Sequence, residues 1–161
     1  MSFSIIFADY QNPQHGHDLV YLLDHYAHDP MGGGEPLSSY VRSHLVEKLQ
    51  AVPGAFSLLC YQQQEAVGLV NCFMGFSTFK CRPLVNIHDV VVHADYRGQG
   101  ISRQLLTVVE QVARQRNCCK LTLEVLEGNE IARKAYRRFG FAGYELDPKA
   151  GTAQMWQKPL D

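Results

Sequence analysis

The chain has 161 residues, which is long enough for one domain with a substantial core, and we predict a single domain over residues 1–161. Its apolar content of 46% and charged content of 19% are typical of a globular protein and exclude a disordered chain. The formal net charge of −1 provides no basic excess for nucleic acid. No apolar run is long enough to span a membrane, so we expect neither nucleic acid nor a membrane as a partner.

The cysteines and the N-terminus indicate the cellular compartment. Five cysteines occur without a Cys-x-x-Cys pair, which favours reduced thiols over a disulfide framework or a zinc site. The first ten residues lack a basic segment followed by an apolar core, so we predict no signal peptide. We therefore expect a cytoplasmic protein that holds no metal.

Hydrophobic periodicity predicts strands and helices along the whole chain. In chain order these are a strand at 3–8, a helix at 17–28 introduced by Asn12-Pro13, a helix capped by Ser38, strands at 56–61, 66–76 and 84–92, a helix from 101 to about 116, a strand at 120–126, a helix at 130–139, and closing strands at 141–146 and 152–158. This order favours the α/β class, as an α+β mixed sheet with helices packed on it.

One stretch combines a buried strand, a glycine-rich turn and the start of an amphipathic helix. Three valines at 90–92 precede the turn, which contains Gly98 and Gly100 between two arginines, Arg97 and Arg103. The unpaired N–H groups of a helix's first turn attract anions, and glycines let a ligand approach the backbone. The turn lacks the Gly-Lys-Ser/Thr of a P-loop and the third glycine of a dinucleotide fingerprint. This pattern alone is equally compatible with a phosphate-binding site and with a purely structural turn between strand and helix.

Two segments together resemble a known family. The segment Arg-Gly-Gln-Gly-Ile-Ser at 97–102 resembles the Arg/Gln-x-x-Gly-x-Gly/Ala pyrophosphate loop of the GNAT superfamily of acyl-CoA N-acyltransferases. The segment 129–141 resembles that family's Asn-x-x-Ala-x-x-x-Tyr-x-x-x-Gly-Phe signature. Ser102 departs from the usual Gly or Ala, although its backbone N–H is retained. The resemblance implies a central, mostly antiparallel sheet that splays at the cofactor site and carries helices on both faces.

The resemblance also implies acetyl-CoA as co-substrate, without a metal. The implied cofactor contacts are the main chain of Val90, Val91 and Val92 for the pantetheine arm, Arg97, Gly98, Gln99, Gly100, Ile101, Ser102 and Arg103 for the pyrophosphate, and Asn129, Ala132 and Tyr136. Packing in a core is the alternative for the valines and does not conflict with main-chain binding. A turn or helix-capping role is the alternative for Asn129.

Acyl transfer to an amine needs a proton acceptor for the ammonium and a proton donor for the leaving thiolate. Tyr136 matches the family's tyrosine for the second role, and a half-buried helical aromatic is the alternative. Glu124 is our first candidate for the base, directly or through water, with a structural carboxylate as the alternative. His88 is the second candidate, because histidine titrates near neutral pH. Strand alternation puts His88 on the face of Val90 and Val92, and Asp89 on the opposite face as a structural residue.

The acceptor site is less constrained by the sequence. We assign substrate contacts to His88, to Thr122, which alternation puts on the same face as Glu124, and to Glu35 in the break at 29–36. A simple connector is the alternative for this break. The predicted function is transfer of acetyl from acetyl-CoA to the primary amine of a small molecule, by direct attack in a ternary complex. One alternative is a protein N-terminal acetyltransferase, because the position of Glu124 resembles that of a glutamate in the N-terminal acetyltransferases of ribosomal proteins. The others are a non-catalytic acyl-CoA-binding or sensing domain and a CoA-independent nucleotide-binding module. A homodimer through the last two strands is compatible with the pattern.

Overall fold

A computed structural model describes residues 2–161, which form five strands and four α-helices. The elements are β1 (Ser4–Phe7), α1 (Pro13–Ala27), α2 (Ser39–Ala51), β2 (Phe56–Gln62), β3 (Glu65–Ser77), β4 (Arg82–Val92), α3 (Ile101–Gln115), β5 (Leu121–Leu123) and α4 (Glu130–Phe139). Single 3-10 turns lie at Pro30–Gly32 and Ala94–Tyr96. Among the described residues, no helix is long and apolar enough to cross a membrane.

Contacts divide the chain into two compact units. The first runs to Leu123 and contains the whole sheet with α1, α2 and α3. The second is Glu124–Asp161 and contains α4. The single domain over residues 1–161 remains a prediction.

The five strands lie in the order in which they occur along the chain, β1-β2-β3-β4-β5. The first four pair antiparallel, and β4 pairs with β5 in parallel. The predicted mixed and mostly antiparallel sheet is therefore confirmed.

Helices cover both faces of this sheet, as predicted. Leu69 of β3 belongs to a buried cluster with Leu19 and Leu22 of α1 and Leu49 of α2. Its neighbour Gly68 faces α3, because a Cβ added there would meet side chains at the start of that helix. Since successive strand residues point to opposite faces, α1 and α2 pack on one face and α3 on the other.

Gly68 allows the start of α3 to lie close to β3. An added Cβ would lie 2.8 Å from Ile101 Cγ2 and 3.1 Å from both Cys60 Cβ and Leu105 Cδ1. We expect Gly68→Ala to lower the free energy of unfolding by about 1–3 kcal/mol through overpacking, measured by urea denaturation. Gly143→Ala is the matched control, because an added Cβ there meets nothing within 4 Å. An unchanged urea midpoint in Gly68→Ala would contradict this account of how α3 is seated.

The sheet splays beyond the middle of β4. β5 pairs with β4 only at residues 85–87 and ends at Leu123, whereas β4 continues to Val92. The predicted strand at 120–126 is thus too long. Residues 124–128 are all exposed, so no covered face favours continued alternation there.

In the second unit, the helix matches the sequence-based prediction, whereas the segment after the helix does not. α4 has the predicted limits and ends at Gly140. The two predicted closing strands are wrong: within residues 141–158, all of which the structure describes, strand pairing is limited to one bridge between Glu145 and Thr152. Leu146 and Trp156 are 80% and 82% exposed, and an isolated hairpin whose apolar side chains stay in water is marginal.

Candidate active site

A bulge in β4 determines which side chains face α1. Asn71 and Cys72 are consecutive on β3 but pair with Asp89 and Ile87, which leaves His88 as an extra residue on β4. Bulges of this kind bend a strand and re-aim its side chains.

The bulge corrects the predicted face of His88. The His88 ring meets the Phe73 ring edge-on, with centroids 5.5 Å apart and planes at 86°. Phe73 packs against the buried cluster that contains residues of α1 and α2, and Val91 is a member of that cluster. Because Asp89 and Val91 are two residues apart beyond the bulge, Asp89 shares this face. His88 and Asp89 therefore lie on one face, not on the opposite faces that simple alternation predicts.

The main chain of β4 offers hydrogen-bonding groups along the edge that β5 leaves. The N–H of His93 donates to the carbonyl of Val67 on β3 at 2.9 Å. In an antiparallel pair, residues alternate between pointing their main-chain groups to the partner and away from it. Val91 therefore points to β3, whereas Val90 and Val92 point to the splayed edge. The Val92 carbonyl accepts from Arg97 Nε at 3.4 Å, in agreement with this direction.

The predicted anion loop follows the 3-10 turn at Ala94–Tyr96 and ends at the first turn of α3. Gly98 and Gly100 have φ values of 79° and 78°, in the left-handed region that favours glycine. A Cβ added at either glycine would meet nothing within 4 Å, so the space above the loop is open. Gln104 makes the first helical bond, to the carbonyl of Gly100, and no side chain caps the helix. The N–H groups of residues 101–103 are therefore without intrahelical acceptors and can donate to an anion.

The two arginines of the loop have different surroundings. Arg97 pairs with Asp29, just after α1, at 3.1 Å. The backbone N–H of Met31 first, and then Arg97, hold the pKa of Asp29 below its usual value. Arg97 thus joins the loop to the end of α1, while Arg103 is exposed on the first turn of α3. A phosphate contact by Arg97 remains a prediction.

Sequence reasoning missed a histidine pair at the 3-10 turn that precedes the loop. The rings of His25 and His93 stack with centroids 4.2 Å apart, and His25 Nε2 accepts from the Ala94 N–H at 3.2 Å. Tyr21 OH contacts His93 Nε2 at 3.1 Å. Burial first, and then His93 and Arg97, lower the pKa of His25, which favours a neutral ring in this stack. No local pattern predicts the pair, because its members lie far apart in the sequence.

The structure brings two of the predicted substrate residues to one face of the sheet. Asn86 and Thr122 are neighbours in the parallel register, and Asn86 Nδ2 donates to Thr122 Oγ1 at 3.0 Å. Asn86 is two residues before His88, so Thr122 and His88 share a face. Glu35 is exposed in the connection between α1 and α2.

The remaining predicted residues belong to the second unit. Glu124 is exposed and follows the end of β5. Asn129 Oδ1 accepts a hydrogen bond from the N–H of Ala132 at 3.2 Å and so caps the N-terminus of α4, as one of the two roles considered for this residue requires. Tyr136 is half-buried, and its ring meets Phe141 edge-on with centroids 5.9 Å apart. Their roles toward cofactor and substrate remain predictions.

Comparison with known proteins decides the family. A model described as the acetyltransferase (GNAT) family matches residues 8–141, which is most of the chain. The chain belongs to the GNAT acetyltransferase family. The resemblance carried by the loop at 97–102 and the segment at 129–141 is thereby confirmed.

Relatives with assigned names support this placement of the GNAT chain. It is 32% identical to thialysine N-epsilon-acetyltransferase of Bos taurus, over 60% of this chain and 53% of that protein. It is 43% identical to streptothricin acetyltransferase of Streptomyces lavendulae, over 47% of this chain and 41% of that protein. The chain thus spans about half the length of the curated relatives that it matches.

A solved structure supports the GNAT fold over nearly the full chain. An aminoglycoside acetyltransferase from an uncultured soil metagenomic sample, in complex with sisomicin, has a TM-score of 0.79 and 16% identity. The match covers 99% of this chain and 97% of that one. At this identity the likeness concerns the fold alone.

Proposed function

We propose that this chain is an N-acetyltransferase that moves the acetyl group of acetyl-CoA to a primary amine of a small molecule, by direct attack in a ternary complex. One observation carries the proposal: a strand whose main chain is exposed by the splay is followed, after one 3-10 turn, by a glycine loop and the uncapped first turn of α3. That arrangement suits a long cofactor with a pyrophosphate and an amide-bearing arm, because amides pair with strand edges and phosphates with helix N-termini.

The residues present fit acetyl-CoA. The N–H groups of residues 101–103 and the open surface over Gly98 and Gly100 would hold the pyrophosphate. The main-chain groups of Val90 and Val92 would pair with the pantetheine amides. When bound, acetyl-CoA supplies the thioester that carries the acetyl group and the thiolate that leaves.

Two side-chain roles complete the proposed chemistry. An ammonium must lose a proton before its nitrogen lone pair can attack the carbonyl, and His88 or Glu124 would accept that proton. The hydroxyl of Tyr136 would donate a proton to the leaving sulfur as the carbon–sulfur bond breaks. His88 has the stronger support as base, because it lies on the same face as Thr122 and beside the splayed part of β4.

Relatives support a small amine as acceptor. Two matched proteins are named for thialysine and streptothricin, and a structural neighbour is in complex with sisomicin. We propose the same substrate class here, with Thr122 and Glu35 among its contacts. A carboxylate at position 35 would favour a cationic acceptor.

The proposal is tested in two steps. CoA at about 100 times its dissociation constant should stabilise the protein by about 2.7 kcal/mol, seen as a rise in Tm, while ATP and NAD should not. Release of free thiol from acetyl-CoA is then measured across a panel of small amines and peptide N-termini. Stabilisation by all three nucleotides would overturn the assignment of CoA. CoA binding without thiol release would overturn the enzyme in favour of a sensing domain.

A further inference from the structure

Resting on the proposed function, we propose that Asp89 is a positioning residue that fixes the ring of His88 as the general base. Asp89 is itself held by a network of buried and partly buried hydrogen bonds. The Asp89 network consists of Tyr10, Ser57, Asn71 and Asp89, which come from the segment after β1 and from β2, β3 and β4.

The bulge in β4 allows the side chains of the neighbouring residues His88 and Asp89 to meet. Consecutive residues of a regular strand point to opposite faces, so their side chains do not meet. Because His88 is the extra residue, His88 Nδ1 lies 3.3 Å from Asp89 Oδ1. The side chain of His88 is 64% exposed, whereas that of Asp89 is 19% exposed. The pair thus presents an accessible imidazole that is backed by a partly buried carboxylate.

The network has one consistent order of donors. An ionised carboxylate only accepts, so the amide nitrogen of Asn71 faces Asp89 Oδ2, at 2.9 Å. The amide oxygen of Asn71 then accepts from Ser57 Oγ at 2.6 Å. Since the single Ser57 proton is used there, Tyr10 OH must donate to Ser57 Oγ, at 2.9 Å. Every donor therefore points toward Asp89.

The same reasoning assigns the protons of His88. Facing a carboxylate, Nδ1 carries the proton, and the lone pair of the neutral ring is left on Nε2. Nε2 can then take one proton from the ammonium of the acceptor, so that the amine lone pair is free for attack. The imidazolium formed is stabilised by Asp89, as in other carboxylate–histidine pairs.

Burial makes the network a rigid support. Ser57 and Asn71 are 1% and 3% exposed. Among the described residues, no buried side-chain nitrogen or oxygen lacks a hydrogen-bond partner. Burial raises the pKa of Tyr10, which keeps its hydroxyl protonated as the outermost donor. A fully satisfied buried network of this kind rigidifies the groups it holds.

The kinetic test is a double-mutant cycle between His88 and Asp89. We expect Asp89→Asn to lower kcat by about 10- to 100-fold with little change in KM, because the asparagine amide can turn its nitrogen to Nδ1 and reverse the tautomer. In the His88→Ala background the same change should lower kcat by less than about twofold. An equal loss in both backgrounds, or no loss in the single variant, would overturn the proposal.

A second measurement reads the ring without turnover. Long-range proton–nitrogen NMR correlations distinguish the two ring tautomers, and the His88 signals are assigned by their absence in His88→Ala. We expect protonated Nδ1 in the parent protein and a shift toward protonated Nε2 in Asp89→Asn. The same tautomer in both proteins would overturn the proposal. If no amine is acetylated, the proposed function fails, and this measurement still decides the arrangement of His88.

Two further variants complete the design. Tyr10→Phe removes only the outermost donor and should lower kcat by a few-fold with the same split between kcat and KM. If Asp89→Asn folds poorly, an unchanged kcat in Tyr10→Phe would overturn the proposal. Glu110→Gln is the matched control, because it neutralises a carboxylate on α3 that is paired with Arg114. It should leave kcat and the His88 tautomer unchanged.

Discussion

We expect Tyr136→Phe to lower kcat by about 100-fold while the affinity for acetyl-CoA stays within about twofold, because only the proton donor is lost. The substitution removes one oxygen and keeps the aromatic ring. The edge-on contact with Phe141 is therefore retained, and α4 should fold as before. The measurements are steady-state thiol release for kcat and calorimetric titration for the affinity.

The control for this prediction is a second tyrosine in the same unit. Tyr144 is 58% exposed and follows the segment that resembles the family signature. Tyr144→Phe removes the same atom and should leave kcat unchanged. If Tyr136→Phe turns over as fast as the parent protein, Tyr136 has no part in proton transfer.

Local signals predicted most helix limits, although α1 begins at Pro13 and not at residue 17. Ser38 accepts from the Val41 N–H at 3.2 Å, and Asn129 caps α4 in the same manner. Capping depends on residues within one turn, so the sequence around each cap contains the information that is needed. The glycine loop was predictable for the same reason, because its φ values and the first turn of α3 are local properties.

The bulge at His88 was not predictable from the sequence. A bulge is defined by the register between two strands, here β3 and β4, and a run of apolar residues in β4 does not encode it. Alternation therefore gave the wrong face for His88. The Asp89 network was missed for a related reason, since its members come from four segments that only the folded sheet brings together.

The pairing of Arg97 was also not predictable from local patterns. Its guanidinium reaches Asp29, which lies far earlier in the sequence. The predicted strands after α4 failed because alternation predicts a strand only where one face is buried. In the second unit Met155 is 73% exposed, so the alternating pattern is not matched by a covered face.

The glycine loop supports a second prediction with a large effect. We expect Gly100→Leu to weaken CoA binding by more than about tenfold, because the new side chain would occupy the open space over the loop where we place the pyrophosphate. The residue has a φ of 78°, so a leucine there also costs about 1–2 kcal/mol of backbone strain. Calorimetric titration of CoA measures the affinity, and urea denaturation measures the strain.

Gly151→Leu separates these two effects. Gly151 has a φ of 77°, and an added Cβ there also meets nothing within 4 Å, so the backbone strain is comparable. It lies outside both segments that resemble the family motifs, and we expect its leucine variant to lose a similar amount of stability and to keep its affinity for CoA. A folded Gly100→Leu protein that binds CoA as tightly as Gly151→Leu would remove the loop from the cofactor site. Weakened binding in Gly100→Leu alone would assign the loss to crowding of the phosphates and not to strain.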